Sequence, residues 1–124
     1  HCMGIRSLDE TQKMIAEADF LVNIGNAMLN QVPSKLFEYI STGIPIINIC
    51  KHKRCPTQPY MNKYPYAINI IEDATALDVN AEKLRCFINE NVDKRADIKE
   101  ILRRFAACTP EYCATQMLTA INGQ

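Results

Sequence analysis

The stretch Asn30–Cys50, NQVPSKLFEYISTGIPIINIC, reads as loop, helix and strand in succession, and the rest of the chain is placed by working outward from it. Pro33 suits the first turn of a helix, where a missing N–H costs nothing, and Gly43 can take the left-handed conformation that closes one. The spacing therefore predicts a helix over 33–42 that buries Leu36, Phe37 and Ile40. Beyond Gly43, Ile44–Cys50 is nearly all apolar and β-branched, which predicts a strand.

Two similar runs flank this unit. Phe20–Ile24 stops at Gly25 and Asn26, residues that tolerate a turn, and Tyr66–Ile71 follows the polar, proline-bearing stretch Cys50–Pro65, which shows little helical pattern. Continuous apolar runs, as opposed to alternating ones, imply strands buried on both faces. Ser7 and Glu10 form a capping-box signal ahead of Leu8, Met14, Ile15 and Ala18, so a helix is expected over 8–18. Further helices are expected over 81–89 (with Leu84 and Phe87), over 96–105 (with Ile98, Ile101, Leu102 and Phe105), and from Pro110 to about 121 behind a Thr109 cap. No internal repeat is evident.

Helix and strand in this order make crossover units of a parallel sheet. The expected fold class is α/β: a single domain over 1–124, partial and Rossmann-like, three-layer α/β/α, with a short parallel sheet and a helical C-terminal tail. Three strands leave unpaired edges, which marks the chain as a piece of something larger.

Fourteen acidic residues balance fourteen Lys and Arg, and the pI is near 6.9. Such a balance argues against broad electrostatic attraction to nucleic acid or anionic membranes, so a ligand must be held by a local site. No apolar run reaches the roughly 20 residues of a membrane span and no leader pattern is present, so a soluble, cytoplasmic chain is expected. The six cysteines are read as reduced thiols, most of them in apolar patterns. Cys50, His52 and Cys55 in CKHKRC lack a second ligand pair, so no metal is expected there. His52 is read as exposed and inert, and Tyr39 as a packing residue.

Helix starts leave backbone N–H groups unpaired and carry partial positive charge, so they attract phosphate. A diphosphate could lie over Ser34, Lys35 and Leu36, because this helix begins where ligands bind in open α/β sheets, beyond the carboxyl end of a strand. Glu38 shares the face of Ser34 and Lys35, and a carboxylate there can accept two hydrogen bonds from the vicinal diol of a ribose. The same residues fit a solvated helix face on which Glu38 pairs with Lys35, and chemistry alone favours that reading over a site.

The string ADFLVNIGN, then NQVPSKLFEYISTGIPIIN, then YPYAINI, spanning about 18–71, resembles the C-terminal half of GT-B glycosyltransferases of the retaining group that includes glycosyltransferase family 4, also called group 1. The resemblance implies the donor-binding half of an enzyme that transfers a sugar from a nucleotide diphosphate sugar with retention. The family's second glutamate in a Glu-x7-Glu motif binds the donor ribose and is matched by Glu38, and the motif's first position is read at Gln31. Amides at positions matching Ser34 and Lys35 contact the diphosphate, while Gly25 and Asn26 match the loop whose backbone approaches the donor. The resemblance further implies no cofactor, no catalytic residue within this fragment, and an acceptor-binding domain elsewhere in the parent. Lipid acceptors, common in the family, would bring that parent to a membrane surface. A non-catalytic nucleotide-binding module is the alternative, and a flavodoxin-like interaction domain a third reading.

Overall fold

The computed structural model describes residues 3–123, which leaves Cys2 outside the described residues. Its sheet holds β1 (Leu21–Ile24), β2 (Ile46–Cys50) and β3 (Ala67–Ile71), all parallel and side by side in chain order. The register sets Leu21 beside Ile46 and Ala67 and, one pleat further, Asn23 beside Asn48 and Asn69. Successive side chains point to opposite faces, so the leucine, isoleucine and asparagine positions share one face while Val22, Ile47 and Ile68 share the other.

The helices among the described residues are α1 (Leu8–Ala16), α2 (Lys35–Ser41), α3 (Gln58–Met61), α4 (Leu77–Asn91), α5 (Ile98–Arg104) and α6 (Pro110–Asn122). The core lies on the first face, where Leu36 and Ile40 of α2, Met61 of α3, and Ile101 of α5 meet Leu21 and Ile46. Leu36 and Ile46 are fully buried, and burial of each such side chain stabilises the fold by about 1.5–3 kcal/mol. The Phe37 and Tyr60 rings pack edge to face at 5.1 Å, and the Tyr64 hydroxyl donates to the Ile44 carbonyl at 2.9 Å. On the second face α4 brings Phe87 to within 6.0 Å of the Phe20 ring, and Asn80 donates to the Ile71 carbonyl.

Several signals act as their chemistry requires. Ser7 and Glu10 form the reciprocal capping box of α1, and the Thr109 hydroxyl caps α6. Gly43 adopts φ +76°, and a Cβ there would come within 2.7 Å of the Ala96 carbonyl oxygen, so both conformation and space demand glycine. Its own carbonyl accepts from the Ala96 amide at 2.8 Å, which ties the end of α2 to the segment before α5.

Other expectations are corrected. Burial of the strands on both faces holds for the central strand alone: in β2 Ile46, Ile47, Asn48 and Cys50 are buried, whereas Val22 is 48% and Ile24 is 65% exposed in β1, and β3 is half-buried throughout. The apolar runs have one packed face, and α4 covers only part of the other. The stretch Cys50–Pro65 contains α3, a single turn whose core residue is Met61. Helix α4 begins four residues earlier than its apolar periodicity suggested, because a short 3-10 turn capped by Asp73 leads into it. Of the five described cysteines, Cys50 and Cys55 are buried whereas Cys86, Cys108 and Cys113 are exposed, so most are not core hydrophobes. Helices α1 and α6 bury no residue fully, leaving Leu8, Met117, Leu118 and Ile121 in the open.

Candidate functional site

The ten residues between β1 and α2 carry most of the predicted site. Gly25 is buried, its N–H donates to the Ile49 carbonyl at 2.7 Å, and a Cβ there would lie 3.0 Å from the Cys55 sulfur. Close approach of the turn after β2 therefore accounts for this glycine, where the sequence pointed to a donor. Asn26 is half-buried and Gln31 exposed. No hydrogen bond or ion pair among the described residues joins Gly25, Asn26 or Gln31 to Lys35 or Glu38.

Ser34 precedes α2 in helical conformation and its hydroxyl makes no capping bond. The Leu36 and Phe37 amides already donate to the Pro33 and Ser34 carbonyls at 3.1 Å, so Leu36 cannot offer its amide to a phosphate without breaking that turn. The amides of Ser34 and Lys35 remain for a ligand. On the next turn Lys35 Nζ lies 3.2 Å from Glu38 Oε2, with both side chains nearly half exposed. An exposed pair at this spacing is worth about 0.3–0.5 kcal/mol, so a diol that displaced it would lose little.

Glu38 borders a groove of about 430 Å³ between α1 and α2, lined also by Gln12, Ile15, Thr42, Ile44 and Arg95. Arg95 is anchored there, donating to the Ala18 carbonyl at 2.9 Å. Tyr39 packs against the core and edges a neighbouring groove, consistent with a packing role. The Glu-x7-Glu register also needs correction: seven intervening residues, 31–37, place the motif's first position at Asn30, not Gln31. Both are amides, so the upstream position carries no carboxylate on either count.

Two features escaped the reading of the sequence. One is a buried polar ladder across the sheet, in which Asn23 Nδ2 donates to Asn48 Oδ1 at 2.7 Å and Asn48 Nδ2 donates to Asn69 Oδ1 at 2.7 Å. The Thr57 hydroxyl joins Asn48 at 2.9 Å and the Cys55 sulfur at 3.0 Å, and Asn69 reaches Asn62 at 2.9 Å. Its signal was an Asn-Ile pair recurring in VNIG, INIC and INII, one per strand. The other is the basic turn Lys51–Arg54 after β2, visible as four consecutive cationic or imidazole side chains. His52, expected to be exposed and inert, is half-buried with Nε2 3.3 Å from the Ala27 carbonyl oxygen.

Fold and site together define an α/β protein with a short, open parallel sheet whose loops at the carboxyl edge carry the polar chemistry. No protein-family model, curated protein or solved structure matches the chain. No helix among the described residues is long and apolar enough to cross a membrane.

Proposed function

We propose that the chain is the donor-binding part of a GT-B glycosyltransferase that moves a sugar from a nucleotide diphosphate sugar to an acceptor with retention of configuration, and that the chain alone transfers nothing. The observation that carries this reading is the unit formed by PSKLFEYISTGIPII. Here β1, a loop, α2, a left-handed Gly43 and β2 follow one another in parallel, with Ser34, Lys35 and Glu38 on the first turns of the helix. Such a unit offers free amides to a diphosphate and a carboxylate to a ribose.

Ligand crevices in open α/β sheets form where strand order reverses. Order β1-β2-β3 contains no reversal, so the crevice would open on the free side of β1, against strands supplied by the rest of the parent. That parent would work in the cytoplasm, where nucleotide sugars are its donors, and hold its acceptor in another domain. The amides at Asn30 and Gln31 specifically favour a second reading, a nucleotide-binding module without catalysis.

An amide-shift titration with UDP, GDP and ADP tests the site. Shifts at Ser34, Lys35 and Glu38 are expected at millimolar ligand, with 2′,3′-dideoxy-UDP binding about tenfold more weakly than UDP and Glu38→Ala abolishing that difference. A silent spectrum, or a dideoxy nucleotide that binds as well as UDP, would sink the ribose assignment. Sugar transfer by the isolated chain would overturn its expected inactivity.

A further inference from the structure

The basic turn after β2 forms a second polar site, apart from the Lys35–Glu38 pair. In a chain of zero net charge, Lys51, His52, Lys53 and Arg54 are consecutive, and the turn folds against the loop after β1. Ala27, Leu29, His52, Lys53 and Arg54 line a cavity of about 360 Å³ between the two loops. Its lining is mostly apolar, with Ala27 and Leu29 contributing to it, and Lys53 and Arg54 bring cationic side chains to its border.

The turn is held in place before any ligand arrives. The Gly25 amide bonds the Ile49 carbonyl at 2.7 Å, the Glu72 amide bonds the Cys50 carbonyl at 2.8 Å, and Cys55 is held by Thr57. Lys51 is committed to Glu72 in an ion pair. Asp73 sits below the usual carboxylate range, chiefly through the Thr75 hydroxyl and amide, with Lys53 near enough to contribute. Arg54 lies within ion-pair distance of no carboxylate among the described residues.

His52 braces this turn against the loop after β1. Its Nε2 faces the Ala27 carbonyl oxygen and must carry the hydrogen, which leaves Nδ1 a lone-pair acceptor, buried and without a partner among the described residues, so the ring fixes the turn and does not itself hold an anion.

We propose that this cavity binds the phosphate group of a phosphate ester. Arg54 and Lys53 neutralise the phosphate oxygens, the Arg54 guanidinium in the two-pronged geometry that suits them, and Ala27 and Leu29 contact the organic part. A turn fixed in advance forfeits little conformational entropy on binding. The proposal goes beyond the nucleotide-sugar reading and does not depend on the ribose contact at Glu38.

The test uses the 124-residue chain with inorganic pyrophosphate as probe, followed by amide shifts. Shifts are expected at 27–29 and 52–54, with binding about tenfold weaker in Lys53→Gln/Arg54→Gln and retained in Lys53→Arg/Arg54→Lys. Glu38→Gln should leave pyrophosphate binding unchanged. Because Lys53 and Arg54 are exposed, both double variants should melt like the parent. No response at 27–29 and 52–54 at millimolar pyrophosphate, or a response at those amides that survives Lys53→Gln/Arg54→Gln, overturns the proposal, whereas shifts confined to Ser34 and Lys35 belong to the other site and also overturn it. Binding to phosphatidic acid vesicles without binding to pyrophosphate also overturns it, in favour of a membrane surface. UDP that shifts 52–54 and ignores Glu38→Ala would remove the ribose site while upholding this one.

Discussion

Asn23, Asn48 and Asn69 stand side by side on one face of the sheet, and one residue further along each strand Ile24, Ile49 and Ile70 stand side by side on the other. The asparagines are tied to one another and to Thr57, whereas the isoleucines are bound by contact alone and Ile24 is largely in the open. Slipping a strand by two residues would keep an aliphatic side chain at nearly every position of the isoleucine face. The same slip would set an asparagine beside Ile46 or Cys50 and leave buried amide groups unpaired, at about 1–3 kcal/mol for each. Registry is therefore specified on the packed face and is only weakly constrained by the open one.

The greatest damage should follow loss of the central rung. Asn48→Ala would strip partners from Asn23, Asn69 and Thr57 together, all lying in or beside the core. We expect a loss of about 3–5 kcal/mol in urea unfolding, a large share of the 5–15 kcal/mol typical of a domain. A loss below about 1 kcal/mol would show that water replaces the ladder and would remove the contrast between the faces. A double-mutant cycle on Asn23→Val and Asn48→Val should give a coupling of about 1–2 kcal/mol. Simple additivity would mean that the rungs act separately and do not set registry as a unit.

Cys50, at the end of the same face, extends the comparison into pH. Burial pushes its thiol up from 9.0 to about 12, with the neighbouring Cys55 adding to the effect. Below pH 9 the thiol is neutral in both folded and unfolded chains and contributes no pH dependence. Between pH 9 and about 12 the unfolded chain releases the proton that the folded chain must keep, so stability falls as pH rises through that window. Tyr64, raised mainly by burial, acts in the same direction, so the measurement is a comparison: Cys50→Ala should show a shallower alkaline decline than the parent. Parallel declines would mean that the thiol is less enclosed than its neighbours indicate.

The sequence revealed the elements more readily than their surroundings. Gly43, Thr109 and the Ser7–Glu10 pair are local devices whose chemistry needs no distant partner, and each marks a real helix end, whereas Pro33 lies one residue before the Ser34 cap of α2 and outside the first helical turn expected of it. Strand burial is nonlocal: Ile24 and Ile47 look alike in the chain, yet one is 65% and the other 8% exposed, because Ile47 lies in the central strand and Ile24 at the end of an edge strand. The ladder was hidden for a related reason, since an isolated asparagine in an apolar run reads as a defect until register aligns three of them. Within the candidate site, the Lys35–Glu38 proximity followed from helical spacing alone. The packing of Gly25 under Cys55 and the meeting of His52 with Ala27 join residues far apart in the chain, which spacing cannot supply.

The smallest effect should come from the open face. Ile24→Lys places a charge on an edge strand at a position already in water, and such substitutions usually change stability by no more than about 0.5 kcal/mol. Its visible consequence should be in association, because exposed Val22 and Ile24 beside an unpaired strand edge form an adhesive surface that a lysine blunts. Sedimentation of the parent should then shift toward larger species with concentration while Ile24→Lys stays monomeric. A loss above about 2 kcal/mol would instead mean that this face is covered in solution. The concentration dependence of that loss would identify the cover: a second copy if stability rises with protein concentration, a closer α4 if it does not.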